Sequence, residues 1–136
     1  MFLSGIADEA APELERQLAA HRELGWSHVE LRNIRGKNLT DLPDDEFERV
    51  VEVLRDQGFQ VSCFASQIAN WSRPITSDVE IDRAELRRAI PRMVRLRTPF
   101  IRCMSYPNAT PPWSEADWRK ESIRRMKLLA RMAEDG

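Results

Sequence analysis

The sequence predicts a parallel α/β protein, a (β/α) barrel of which about four N-terminal strand–helix units are present. Three observations carry this. First, one short unit recurs: an amphipathic run, a break that is usually Gly, then an aromatic or apolar strand. The runs 18–24, 50–57 and 93–97 are followed by breaks at Gly25, Gly58 and Thr98-Pro99, then by Trp26, Phe59 and Phe100 opening the strands. A fourth amphipathic run covers 123–134. Helix, break and strand in alternation build a parallel sheet. Second, each connection after a strand is longer than the one before it, as happens where a site is built at the carboxyl ends of barrel strands. Third, the turn Ala7-Asp8-Glu9-Ala10-Ala11-Pro12 has no glycine to cradle a pyrophosphate, which argues against an open dinucleotide-binding sheet.

Each element has a local reason. Strand one is expected over 2–7, and helix one from about Pro12 to Leu24, with Pro12 suited to a first turn. Leu14, Leu18 and Ala19 or His21 give helix one its stripe. Gly25 suits a left-handed helix end. Strand two is expected over 27–32 and a loop over 33–42. Helix two begins at 43–45 and ends near Gln57; Phe47, Val50, Val51 and Leu54 share one face, and Asp44, Asp45 and Glu46 favour its positive end. Strand three is placed at 60–65 and a longer loop with Trp71 and Pro74 at 66–78. Helix three, 79–97, has the stripe Leu86, Ala89, Ile90, Met93 and Val94, and Pro91 inside it predicts a kink or a late start. Strand four is placed at 99–104 and a three-proline loop at 105–113. Helix four opens on Ser114-Glu-Ala-Asp117, a capping-box pattern, and continues through Trp118, Ile123, Met126, Leu129, Ala130 and Ala133.

Composition narrows the function classes. The 136 residues are 42% hydrophobic and 32% charged with a net charge of −1, an ordinary globular balance with no global pull toward nucleic acid or membrane. No apolar run approaches the ~20 residues of a membrane span. The first nine residues have no basic region and reach acid too early for a signal peptide, so a cytoplasmic protein is expected. Cys63 and Cys103, in apolar strand runs, are expected to be buried free thiols. The basic residues of helices three and four alternate with Glu80, Asp82, Glu85, Glu115, Asp117 and Glu121, the pattern of solvated outer faces and not of a nucleic-acid stripe.

Four strand ends can be read together: Gly5-Ile-Ala-Asp8-Glu9, Val29-Glu30-Leu31-Arg32, Ala65-Ser66-Gln-Ile-Ala-Asn-Trp71, and Phe100-Ile101-Arg102 with Ser105-Tyr106. Their order and spacing resemble the xylose isomerase-like TIM barrels, in particular the sugar phosphate isomerase/epimerase group, over nearly the whole chain. The resemblance implies that 1–136 is the N-terminal half of a single (β/α)8 domain, truncated before strand five. It implies a divalent-metal enzyme (Mn, Mg, Zn or Co) acting on a small sugar or polyol. The metal carboxylates and histidines of relatives come mainly from strands five to eight, so no metal ligand and no catalytic residue is assigned in this chain. The endonuclease-IV branch carries a His after strand three, where this sequence has Ser66-Gln67-Ile68. The two histidines, His21 and His28, fall toward the opposite end of the barrel.

Five residues are candidates for substrate binding: Glu30, Arg32, Ser66, Trp71 and Arg102. Glu30 and Arg32 are two apart on one strand and share a face. They line the sugar site, or they form a structural ion pair near the rim. Arg102, in an apolar strand, needs a partner: Glu30 across the interior, or an anionic substrate group held by its fork. Ser66 and Trp71 follow strand three; Trp71 is an apolar wall for a sugar face or a cover over helix two or three. Asp8 and Glu9 bind substrate or favour the amino end of helix one. Tyr106 and Asn108 are candidate rim contacts.

The expected chemistry is proton removal next to a carbonyl by a carboxylate, with the metal polarising the substrate oxygens. One alternative is a dehydratase or other lyase on the same scaffold, such as an inosose-type dehydratase. Another is a catalytically silent half-barrel that self-associates or binds a partner through open sheet edges. The 136-residue chain alone is expected to be inactive.

Overall fold

The structure, a computed structural model, describes residues Met1–Asp135. Its elements are α1 (Leu14–Glu23), β1 (His28–Leu31), β2 (Asn33–Ile34), β3 (Lys37–Asn38), α2 (Asp44–Gln57), β4 (Gln60–Ala65), α3 (Val79–Leu96), β5 (Ile101–Arg102) and α4 (Glu115–Glu134), with 3-10 turns at Ala7–Glu9 and Leu39–Asp41. The chain divides into two compact units. One comprises Met1–Ser66 and Pro91–Arg102, the other Gln67–Ile90 and the chain from Cys103 onward.

The first unit holds a parallel sheet in the order β1-β4-β5. The sheet is open and does not close into a barrel. The predicted first strand survives as an extended segment beside β1: the Glu30 amide donates to the Gly5 carbonyl at 2.9 Å, and Ile6 makes a single parallel bridge to Glu30. The 3-10 turn at Ala7–Glu9 ends it there. Gly5 sits at a close approach: a Cβ at this position would stand 3.2 Å from the Trp26 ring, which would have to give by a few tenths of an ångström to admit it. Val29 and Leu31 are fully buried, whereas His28 and Glu30, on the other face, are half-buried.

Between β1 and β4 the register shifts. Val29 faces Val61 but Glu30 faces Cys63, so Ser62 is an extra residue with no partner in the ladder. Ser62 and Cys63 are both half-buried, while Val61, Phe64 and Ala65 are buried. The Ser62 hydroxyl lies 2.6 Å from that of Ser4.

Helix α2 buries Phe47, Val50, Val51 and Leu54, the predicted face, and ends on Gly58 in the left-handed conformation at φ 74°. Helix α1 buries Leu14 and Leu18 with Gln17 and His21, leaving Ala19 exposed. His21 is a core histidine: its ring nitrogens face the carbonyls of Gln17 and Gly5, and Trp26 meets it edge-on. The predicted loop 33–42 contains the β2–β3 hairpin. Asn38 ties the hairpin to the sheet by donating to the Ala65 carbonyl. Predicted strand four is reduced to the two residues of β5.

In the second unit Ser114 caps α4, its hydroxyl accepting from the Asp117 amide as the capping pattern requires. The stripe predicted for α3 is corrected. Val94 is 69% exposed, and the buried positions include Asp82 and Glu85 beside Leu86 and Ala89. Arg73 bridges the two acids, with Nη1 2.6 Å from Glu85 Oε2. The Ala69 and Gln67 amides donate to the same two carboxylates, and the Tyr106 hydroxyl donates to Asp82. The assignment of Asp82 and Glu85 to a solvated face was therefore wrong: an arginine and backbone amides compensate both buried charges. Pro91 lies within a continuous helix, and the two units divide there.

Candidate functional site

The inner face of the sheet brings Glu30, Cys63 and Arg102 together. Cys63 is the ladder partner of Glu30, and Arg102 is the ladder partner of Ala65 on the next strand. An Arg102 Nη1 lies 3.5 Å from Glu30 Oε1, so the partner foreseen for Arg102 across the interior is the one it has. The contact is loose. Buried Glu30 Oε1 and Arg102 Nε make no hydrogen bond, so the pair keeps an acceptor and a donor on the same face.

Cys63 has its thiol pushed above the ordinary value by burial and then by the Glu30 carboxylate, with Arg102 opposing. It is a neutral thiol beside an ion pair. Sequence reading placed it in a strand but not on this face. The signal was the alternation after the extra residue Ser62, which a regular two-residue period hides. The second thiol departs from expectation: Cys103 is exposed.

Ser66 is buried and its hydroxyl donates to the Arg102 carbonyl at 2.7 Å, tying the end of β4 to β5. It acts on the backbone that carries Arg102. Arg32 does not pair with Glu30. Its Nε reaches both carboxylate oxygens of Asp8 at 3.0 Å, and an Nη2 reaches Glu9 at 2.6 Å. Burial draws its basicity down, but the hydrogen bonds to Asp8 and then Glu9 outweigh that and hold the guanidinium above its ordinary value. Asn33 also donates to Asp8. Asp8 and Glu9 thus anchor the end of β1 through Arg32, and the helix-dipole reading of these acids is replaced by an ion pair.

Trp71 belongs to the second unit and is 80% exposed, which rules out packing as a helix cover. Tyr106 is fully buried against Asp82 and is not a rim residue; burial, and then the hydrogen bond to Asp82, raise its hydroxyl well above the ordinary range. Asn108 is used locally, accepting from the Trp113 amide.

The carboxylates present do not fit a metal centre. Among the described residues no three His, Cys, Asp or Glu side chains converge in a cluster. Glu30 and Asp8 each face a guanidinium. Among the described residues no helix is long and apolar enough to cross a membrane.

Comparison with known proteins gives two findings. The family model described as xylose isomerase-like TIM barrel matches residues 18–136. The crystal structure of the probable 3-DHS dehydratase AsbF, involved in petrobactin synthesis, from Bacillus anthracis, is similar with a TM-score of 0.73 at 15% sequence identity. The match covers 99% of this chain and 49% of that one, so the chain spans about half the length of that protein. At this identity the likeness is one of fold. The comparison with curated proteins finds no match.

Proposed function

The chain belongs to the xylose isomerase-like TIM barrel family, and on that footing we propose that it supplies half of a barrel enzyme that enolises a small hydroxy-carbonyl compound, a sugar, a polyol derivative or a hydroxy-ketone acid. One observation carries the reading. Glu30 and Arg102 are paired yet leave Oε1 and Nε without hydrogen bonds on the inner face. A hydroxyl next to a carbonyl is the complement of such a pair, with the hydroxyl donating to the carboxylate and the carbonyl accepting from the guanidinium.

In this reading Arg102 draws electron density toward the carbonyl oxygen, Glu30 fixes the neighbouring hydroxyl, and Ser66 holds the Arg102 backbone. In this reading Glu30 is occupied with the substrate hydroxyl and Arg102, and the base is supplied by residues beyond this set. The side chains here do not build a metal site, and no step is assigned to a metal. A divalent ion, where the whole enzyme takes one, is held by residues beyond this set. Isomerisation, epimerisation and dehydration all begin with loss of the same proton. The dehydratase neighbour supports the lyase branch by fold alone. Two free thiols fit a cytoplasmic setting.

The test uses the chain extended through whatever sequence follows residue 136 in its gene, incubated with a panel of hydroxy-ketones in deuterated water. Deuterium entering the carbon next to the carbonyl, read by NMR with and without added divalent metal, is the expected result. A conjugated product absorbing in the near ultraviolet identifies the dehydratase; deuterated isomers identify the isomerase or epimerase. Absence of exchange across the panel, with the protein folded, sinks the proposal.

A further inference from the structure

We propose that a cleft between the carboxyl ends of α2 and α3 binds a small amphipathic carboxylate, with Arg97 holding the carboxylate beside an apolar floor. The cleft has a volume of about 480 Å³, within the ~300–1,000 Å³ that suits a small organic ligand. Leu54, Phe59 and Val61 form its floor, and Arg55, Arg95 and Arg97 its charged lining, with no Asp or Glu among the residues that line it. All six lie in the same compact unit. Val61 belongs to β4, the central strand of the order β1-β4-β5, so the cleft involves neither open edge of the sheet.

Helices α1, α2 and α3 close with the same pair of backbone bonds. The amides of Gly25, Gly58 and Arg97 donate to the carbonyls of Arg22, Arg55 and Val94, and the next amides, of Trp26, Phe59 and Thr98, donate to those of His21, Leu54 and Met93. The residue at the turn is left-handed each time, at φ 73°, 74° and 55°. Glycine fills the position twice and arginine the third time. Glycine carries no strain there, and arginine does. Charge at a helix end does not call for it, because the last turns of α2 and α3 already hold Arg55 and Arg95. Those two face acids, Asp56 and Glu48. Arg97 makes no ion pair among the described residues.

The lining names the chemistry of the occupant. A guanidinium fork without a carboxylate of its own accepts one from a ligand, two hydrogen bonds at a time. One uncompensated guanidinium matches one negative charge, which a carboxylate carries. The floor beside it takes an alkyl or aryl body out of water. A bare anion gains nothing from Leu54, Phe59 and Val61, and a neutral apolar molecule gains nothing from Arg97, so a hydrophobic carboxylate is the class that uses both. This occupant is not the compound turned over at the Glu30–Arg102 face. Val61 is the ladder partner of Val29, on the side of the sheet opposite Glu30 and Cys63.

Titration calorimetry on the extended chain, with octanoate as the probe, should show saturable binding of one molecule per chain. Acetate, which lacks the body, and octanol, which lacks the charge, should each bind roughly tenfold or more weakly than octanoate. Arg97→Gly should weaken octanoate by roughly tenfold or more, yet melt no lower than wild type, because glycine is the residue that the twin turns already use. Arg35→Gly is the control: it relieves a second left-handed arginine, at φ 52° and outside the cleft, and should leave octanoate binding unchanged. The proposal is overturned if octanoate shows no saturable binding, or if acetate or octanol binds as tightly as octanoate. It is overturned equally if Arg97→Gly binds octanoate like wild type, or if Arg35→Gly weakens it as much as Arg97→Gly does. None of these results bears on the proposed function, which is read by deuterium exchange.

Discussion

Arg102 is held in place twice, by a hydrogen bond from the Ser66 hydroxyl to its carbonyl and by a loose contact to Glu30. Its side chain lies in an otherwise apolar strand segment, where replacement by an isosteric thioether leaves no buried charge except that of Glu30. Loss of a hydrogen bond to a charged group costs about 1.5–3 kcal/mol. Arg102→Met in the extended enzyme should therefore raise KM by roughly 10- to 100-fold, or abolish turnover, while the melting curve stays cooperative. Unchanged kinetics beside a normal melt would remove Arg102 from the site. The residue scale is also where sequence reading was weakest. That Arg102 needs a partner, and that Glu30 is within reach, followed from the cost of a lone charge in a strand. That Arg32 turns instead to Asp8 and Glu9 did not, because the 3-10 turn carrying those acids to it is set by tertiary packing.

The elements show the reverse balance. Helix α2, β4 and the cap of α4 lie where periodicity and capping chemistry place them, because one face, one break and one hydroxyl suffice to define each. The edge strands were overextended: a strand with one neighbour loses half its ladder, so only Ile6 and the two residues of β5 remain paired. Helix α3 misled because its buried face is partly acidic, with the compensating Arg73 outside the helix, on the loop that leads into it. Helix α4 offers a pH test. Glu121 is held at about 2, below its ordinary 4.5, by Arg124 first and against burial, with Arg125 adding to it. A depressed carboxyl contributes stability that is present above its unfolded value and is lost as pH falls toward its folded one. Glu121→Gln should therefore melt below wild type above about pH 4.5, and the two curves should converge near pH 2. The gap is small because water screens these side chains. A gap that widens in acid would refute the assignment.

For the whole molecule, the repeat of helix, break and strand made the fold class legible, and the family match confirms it. The partners of the strand edges were not legible, because edge residues look like any other strand residues until their neighbours are known.

The unpaired Ser62 has a consequence for anyone shortening this protein. A residue removed from the ladder itself turns every later side chain of that strand toward the wrong layer. Ser62 is the one place in β4 where the count already exceeds its neighbour, so excising it restores strict alternation with Val61 and Phe64 still on the buried face and Cys63 still opposite Glu30. The excised form should fold, short by about 1 kcal/mol for the lost hydroxyl contact to Ser4. A chain that no longer melts cooperatively after that single excision would mean that the surplus residue is what lets the strand follow its curve.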